Sequence, residues 1–115
     1  MKFTELHLAE DILSAVAKVG FVEPSPIQEL TIPLALEGKD VIGQAQTGTG
    51  KTAAFGLPTL NKIDVTNNVV QALVIAPTRE LAVQSQEELF RFGREKKVKV
   101  RSVYGGSIIE KQIKA

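Results

Sequence analysis

The stretch Ala45-Gln46-Thr47-Gly48-Thr49-Gly50-Lys51-Thr52 constrains this chain more than any other. It lies between the apolar run Asp40-Val41-Ile42-Gly43-Gln44 and a helix-forming run that opens Lys51-Thr52-Ala53-Ala54-Phe55. The local order is therefore strand, glycine-rich turn, helix. In such a turn successive backbone N–H groups converge on phosphate oxygens, and the helix N-terminus adds its positive dipole end to the same anion site. Lys51 is placed to reach the β- and γ-phosphates, and the Thr52 hydroxyl to ligate Mg²⁺. The stretch reads as a nucleoside triphosphate site. The general phosphate-loop pattern opens with Gly, and Ala45 departs from it. A chance Gly-Lys-Thr in a polar turn is the plainer alternative, and the flanking strand and helix patterns argue against it.

At 115 residues the chain is at most one domain. It has no cysteine, so disulfides and thiolate metal sites are excluded. The opening Met1-Lys2-Phe3-Thr4-Glu5-Leu6-His7 lacks the apolar core of a signal peptide, and no run is long enough to span a bilayer. A cytoplasmic location is expected. Net charge is +1 but unevenly spread: residues 91–115 hold eight Lys or Arg against Glu95 and Glu110, giving +6, and the remainder carries −5. The basic end suits either nucleic acid or an ordinary solvated helix end and strand edge.

In chain order, Leu8, Ile12, Leu13, Val16 and Val19 recur at helical spacing, with Gly20 placed to end the run, so the first helix is expected over 8–19. His7, the only histidine, has no ligand companion and reads as a surface residue. Ser25, Pro26 and Gln28 form a capping-box pattern with Pro at the first helical position. That helix is expected to run to about Glu37, kinked or restarted at Pro33, and to stop at Gly38. The helix after the phosphate loop carries Ala54, Leu57, Leu60 and Ile63 on one side, with a bend expected at Pro58. Gln71-Ala72-Leu73-Val74-Ile75-Ala76 reads as a strand buried on both faces. Thr78 can cap a helix over 79–95, with Leu81, Ala82, Ser85, Leu89 and Phe92 towards the core. Val98, Val100 and Val103 predict a third strand ending at Gly105-Gly106, and residues 107–115 begin another helical pattern. Alternation of three strands with helices predicts an α/β fold with a parallel, doubly wound sheet.

Taken together these segments resemble the N-terminal portion of a DEAD-box ATP-dependent RNA helicase of the bacterial cold-shock type. Gly20-Phe21-x-x-Pro24-Ser25-Pro26-Ile27-Gln28 is similar to the adenine-reading Q motif, with Phe3 standing 17 residues before Gly20 as the family's isolated aromatic. Ala45 to Thr52 resembles motif I, whose first position in this family is Ala. Pro77-Thr78-Arg79-Glu80-Leu81 resembles motif Ia, and Gly105-Gly106 the double-glycine motif. The resemblance covers essentially the whole chain and implies that residues 1–115 are the first part of a RecA-like phosphate-loop domain, a parallel sheet with flanking helices.

The resemblance further implies ATP and Mg²⁺ as cofactors and RNA as partner. Gln28 is assigned to the adenine edge, where an amide donates and accepts together; its alternative is capping alone. Phe21 is assigned to the adenine face with Phe3 as support, core filling being the alternative. Pro77, Thr78, Arg79, Gly105 and Gly106 are assigned to the RNA sugar-phosphate backbone, which carries no base identity, so binding is expected to be independent of sequence. Their alternatives are an ion pair for Arg79 and an ordinary turn for the glycines. The family's Asp-Glu-Ala-Asp tetrapeptide is not in this sequence, and Asp64, which follows Lys62-Ile63, is a poor substitute for a metal-positioning acid. The chain alone is thus expected to lack ATPase and unwinding activity. The rival reading is a non-catalytic nucleotide- or RNA-binding module.

Overall fold

The computed structural model describes residues 2–44 and 50–103. A 3₁₀ turn, Phe3–Leu6, leads into four helices: α1 (Glu10–Val19), α2 (Pro26–Leu36), α3 (Lys51–Lys62) and α4 (Arg79–Gly93). Helix α3 is the centre of the packing. It lies against α2 on one side and α4 on the other, α1 rests mainly on α4, and the 3₁₀ turn leans on α2.

Local chemistry sets the helix boundaries. Gly20 adopts φ +98°, and the N–H groups of Gly20 and Phe21 donate to the carbonyls of Ala17 and Val16. This paired pattern closes α1 and fixes where the chain leaves it, which places Phe21 immediately beyond the helix end. Gly38 and Lys39 close α2 in the same manner on Ala35 and Leu34. At the start of α1, the Asn61 side chain accepts from the Ala9 N–H at 2.7 Å, so the end of α3 caps α1 from 52 residues away. Lys96 Nζ donates to the carbonyls of Leu60 and Asn61, and Lys62 Nζ to that of Ala35, so two lysines satisfy C-terminal carbonyls of α3 and α2. Helices α2 and α3 run through Pro33 and Pro58 without interruption, so neither proline restarts its helix.

The core is built from Phe3, Leu6, Leu8, Ile12, Val16, Ile32, Ala53, Leu57, Leu60, Leu89 and Phe92. Leu57, Ile12 and Ile32 are wholly inaccessible. Gly56 lets α3 and α4 approach closely: a Cβ there would stand 2.6 Å from Leu89 Cδ2.

Two expectations are corrected. No strand forms among the described residues: 40–44, 71–76 and 98–103 are neither helix nor strand. The first two are exposed, Ile42 at 94% and Ile75 at 85%. An apolar run becomes a buried strand only when neighbours supply its ladder and cover its faces, and among the described residues none do. Val98 and Val100 differ, packing against the core. Helix α4 ends at Gly93 rather than 95, where a turn closed by the Lys97 N–H on the Arg94 carbonyl and the Val98 N–H on the Gly93 carbonyl takes over, and Leu81 in its first turn is exposed.

One ion pair ties α1 to the end of α4. Lys18 Nζ donates to Glu95 Oε1, and this hydrogen bond, followed by the Lys18 charge, holds the Glu95 carboxyl below its ordinary value of 4.5. A depressed carboxyl pKa contributes stability above the unfolded value and loses it as pH falls through the folded one. Glu95→Gln is therefore expected to lower the unfolding midpoint slightly at neutral pH and to have no effect once the pH falls well below 4.5. Urea unfolding of both proteins across that range checks this, and an equal difference at every pH contradicts it. Both groups are exposed, so the effect is small and fades with salt.

Candidate nucleotide site at the head of α3

The site forms where the α2 N-terminus meets the α3 N-terminus. Pro26 opens α2 and Ser25 precedes it, so the backbone donors at this end need acceptors. Gln28 meets part of that demand: its Oε1 accepts from the Ser25 N–H at 2.9 Å. Its Nε2 donates at 3.2 Å to the carbonyl of Gly50, the residue that caps α3. One buried amide thus joins the two helix starts. Ser25 Oγ faces the Gln28 N–H in a capping-box arrangement, is buried, and makes no full hydrogen bond among the described residues. Beside it, Gly50 takes φ +84°, and a Cβ there would lie 2.2 Å from Gln28 Nε2 and 3.4 Å from Ser25 Oγ. Only glycine fits both the backbone and the space.

Lys51 is the first residue of α3 and is exposed; Thr52, the second, is partly buried. Ala45, Gln46, Thr47, Gly48 and Thr49 lie outside the described residues, as do Gly105 and Gly106. The N-terminal N–H groups of α3 begin at this point, so an anion placed here meets the positive end of the helix dipole together with Lys51.

Phe21 is half-buried and sits in a row of three rings. Its centroid is 6.1 Å from that of Phe3, nearly parallel at 19°, and 5.7 Å from that of Phe92, tilted by 51°. Phe3 is buried in the core, so it supports Phe21 from behind. Pro77, Thr78 and Arg79 lie at the start of α4, where Thr78 Oγ1 accepts from the Leu81 N–H at 3.2 Å as the expected cap. Hydrogen bonds therefore gather Ser25, Gln28 and Gly50, and ring contacts gather Phe3, Phe21 and Phe92, while Thr78 serves its own helix. Two surface concavities of about 580 and 560 Å³ lie along α4, the larger shared with α1, and neither is lined by these residues. Asp64 is engaged in its own turn, accepting from Thr66 N–H and Oγ1, which holds its carboxyl below the ordinary value.

Sequence reasoning read Phe92 as core and did not connect it to the site. The family resemblance linked Phe3 to Phe21, and nothing in the sequence tied Phe92 to them. The roles of Lys62, Lys96 and Asn61 as helix-end partners carried no local signal.

Residues 25–115 match the family model described as DEAD/DEAH box helicase. The chain belongs to the DEAD/DEAH box helicase family. It is 80% identical over all 115 residues to the DEAD-box ATP-dependent RNA helicase CshA of Streptococcus pneumoniae, and covers 22% of that protein. It is 60% identical over the same length to the CshA of Limosilactobacillus reuteri, covering 23% of it. The chain thus spans less than a quarter of the length of these curated relatives, as an N-terminal fragment of a DEAD-box helicase does. Among solved structures it superposes on a DEAD box protein from Methanococcus jannaschii with a TM-score of 0.93 at 41% identity, over 99% of this chain and 31% of that one. It also superposes on Saccharomyces cerevisiae Dbp5 bound to RNA and ADP BeF3, with a TM-score of 0.88 at 38% identity over 93% of this chain and 28% of that one. These DEAD-box neighbours fit a RecA-like fold; the parallel sheet itself is not formed among the described residues.

Proposed function

We propose that residues 1–115 form the adenine- and phosphate-binding half-site of an ATP-dependent RNA helicase. The observation that carries the reading is the Gln28 amide hydrogen-bonded to the Gly50 carbonyl, because it sets a base-reading group beside the cap of a phosphate-facing helix. Gln28 retains a second lone pair on Oε1 and a second N–H on Nε2. These can meet the adenine N6 and N7 edge, whereas guanine offers an acceptor in place of the N6 donor and is disfavoured. Phe21, backed by Phe3, offers a ring face to the base. The buried Ser25 hydroxyl beside this pair, which makes no full hydrogen bond among the described residues, adds a polar group for a ligand to meet.

Ala45 to Gly50 with Lys51 would hold the phosphates, Lys51 supplying positive charge, and Thr52 would ligate the metal. ATP with Mg²⁺ supplies the transferable phosphoryl group and the charge neutralisation its transfer needs. Pro77, Thr78 and Arg79, with Gly105 and Gly106, hold the RNA backbone without reading bases. Dbp5, whose solved structure is bound to RNA and ADP BeF3 together, supports pairing these two kinds of ligand here.

Phosphate release decides the matter. The full-length protein encoded by the reading frame that carries these residues is expected to hydrolyse ATP faster with RNA present and to prefer ATP over GTP. The 115-residue chain is expected to stay at the buffer rate with either nucleotide. RNA-stimulated release by the short chain overturns the half-site reading, and a full-length protein indifferent to both RNA and the base overturns the helicase reading.

A further inference from the structure

We infer that Phe92, near the C-terminal end of α4, is a positioning residue for the adenine-facing ring of Phe21; this rests on the proposed role of Phe21 above. Phe21 follows the close of α1, where the Gly20 turn and the hydrogen bond from Phe21 N–H to the Val16 carbonyl fix its backbone. That bond does not set the direction of the ring. The two rings that touch it do. Phe3 lies nearly parallel at 6.1 Å and Phe92 is tilted by 51° at 5.7 Å, both geometries that aromatic pairs favour.

The supports differ in their anchorage. Phe3 comes from a 3₁₀ turn of four residues at the start of the chain. Phe92 is 3% exposed on a helix of fifteen residues. The chain beside it is tightly enclosed: a Cβ on Gly93 would stand 3.0 Å from Leu60 Cδ2 on α3 and 3.1 Å from Val98 Cβ. Both rings are buried in the core, but Phe92 is the one carried by α4, so it refers the Phe21 ring to the helix that packs on α3, whose N-cap is Gly50. A base stacked on Phe21 and a triphosphate held at α3 are in this way registered to one packed unit.

The test uses the full-length protein and separates the base from the phosphates. Phe92→Met keeps a bulky apolar side chain in the core but removes the ring; Phe92→Leu removes more. Both are expected to raise KM for ATP about three- to tenfold, to leave kcat at saturating ATP unchanged, and to leave inhibition by inorganic tripolyphosphate, which has no base, as in the parent. Thermal unfolding reports the packing loss separately. A variant that melts earlier but keeps the parent ratio of ATP to tripolyphosphate affinity overturns the inference, because Phe92 then acts as core filling alone. Equal weakening of ATP and tripolyphosphate overturns it as well. Should Phe92→Leu fail to fold, Phe92→Met decides. Phe21→Ala distinguishes the two levels: if it leaves the ratio unchanged, the stacking role of Phe21 is wrong; if it shifts the ratio while both Phe92 variants do not, only the positioning inference falls.

Discussion

Leu57→Ala is expected to lower the unfolding midpoint of this chain by about 8–20 °C. Leu57 lies at the middle of α3, has no accessible surface, and belongs to the cluster that joins the helices. Truncating such a leucine removes the transfer energy of its side chain and leaves a cavity, together about 2–5 kcal/mol. Whole domains of this size hold only about 5–15 kcal/mol. This one also starts at a disadvantage, since Ile42, Val70, Leu73 and Ile75 are exposed when burying each would contribute about 1.5–3 kcal/mol. The substitution therefore removes much of the margin. Ile42→Ala supplies the contrast: at 94% exposure it has little packing to lose and is expected to shift stability by no more than about 0.5 kcal/mol. Thermal unfolding followed by circular dichroism measures the midpoint shift, and urea unfolding the free-energy difference, for both variants. Similar midpoints for the two variants contradict the assignment of the core to the α2, α3 and α4 contacts.

That contrast also shows what the sequence could and could not tell. Helix ends were legible because their causes are local: Gly20 and Gly38 close α1 and α2, Pro26 opens α2, and Thr78 caps α4. The start of α3 at Lys51 was legible for the same reason. The runs at 40–44 and 71–76 were legible only as a demand for burial. Their composition says that apolar faces want covering, but not which segment covers them, and this chain spans 22% of the length of Streptococcus pneumoniae CshA. Covering is a non-local property, so the strands expected there do not form among the described residues. The Phe92 end of the ring row was not legible for a related reason: Phe21 and Phe92 are far apart along the chain, and the packing of α4 brings them together. Gln28 stands between these cases. Its capping of Ser25 follows from spacing, whereas its bond to Gly50, 22 residues away, comes from the packing of α2 on α3.

Gly50→Ala in the full-length protein is expected to weaken Mg-ATP binding about thirtyfold or more, with a much smaller effect on global stability. The added methyl meets two obstacles at once. The backbone at φ +84° disfavours any side chain by about 1–2 kcal/mol, and the new Cβ would stand 2.2 Å from Gln28 Nε2. Either the Gln28 amide leaves, breaking its bond to the Gly50 carbonyl and stranding a buried polar group at about 1–3 kcal/mol, or the α3 cap retreats from α2. Both routes separate the Gln28 amide from the α3 cap, and in the proposed site binding must first restore their registry. A double-mutant cycle with Gln28→Ala tests this cause directly. Removing the amide relieves the clash, so the two losses are expected to combine to less than their sum, while preference for ATP over GTP stays lost in both backgrounds. Calorimetric titration of the four proteins with Mg-ATP and Mg-GTP measures it. Strictly additive losses, or a Gly50→Ala protein that binds ATP like the parent, would show that the contact between Gln28 and Gly50 has no part in nucleotide recognition.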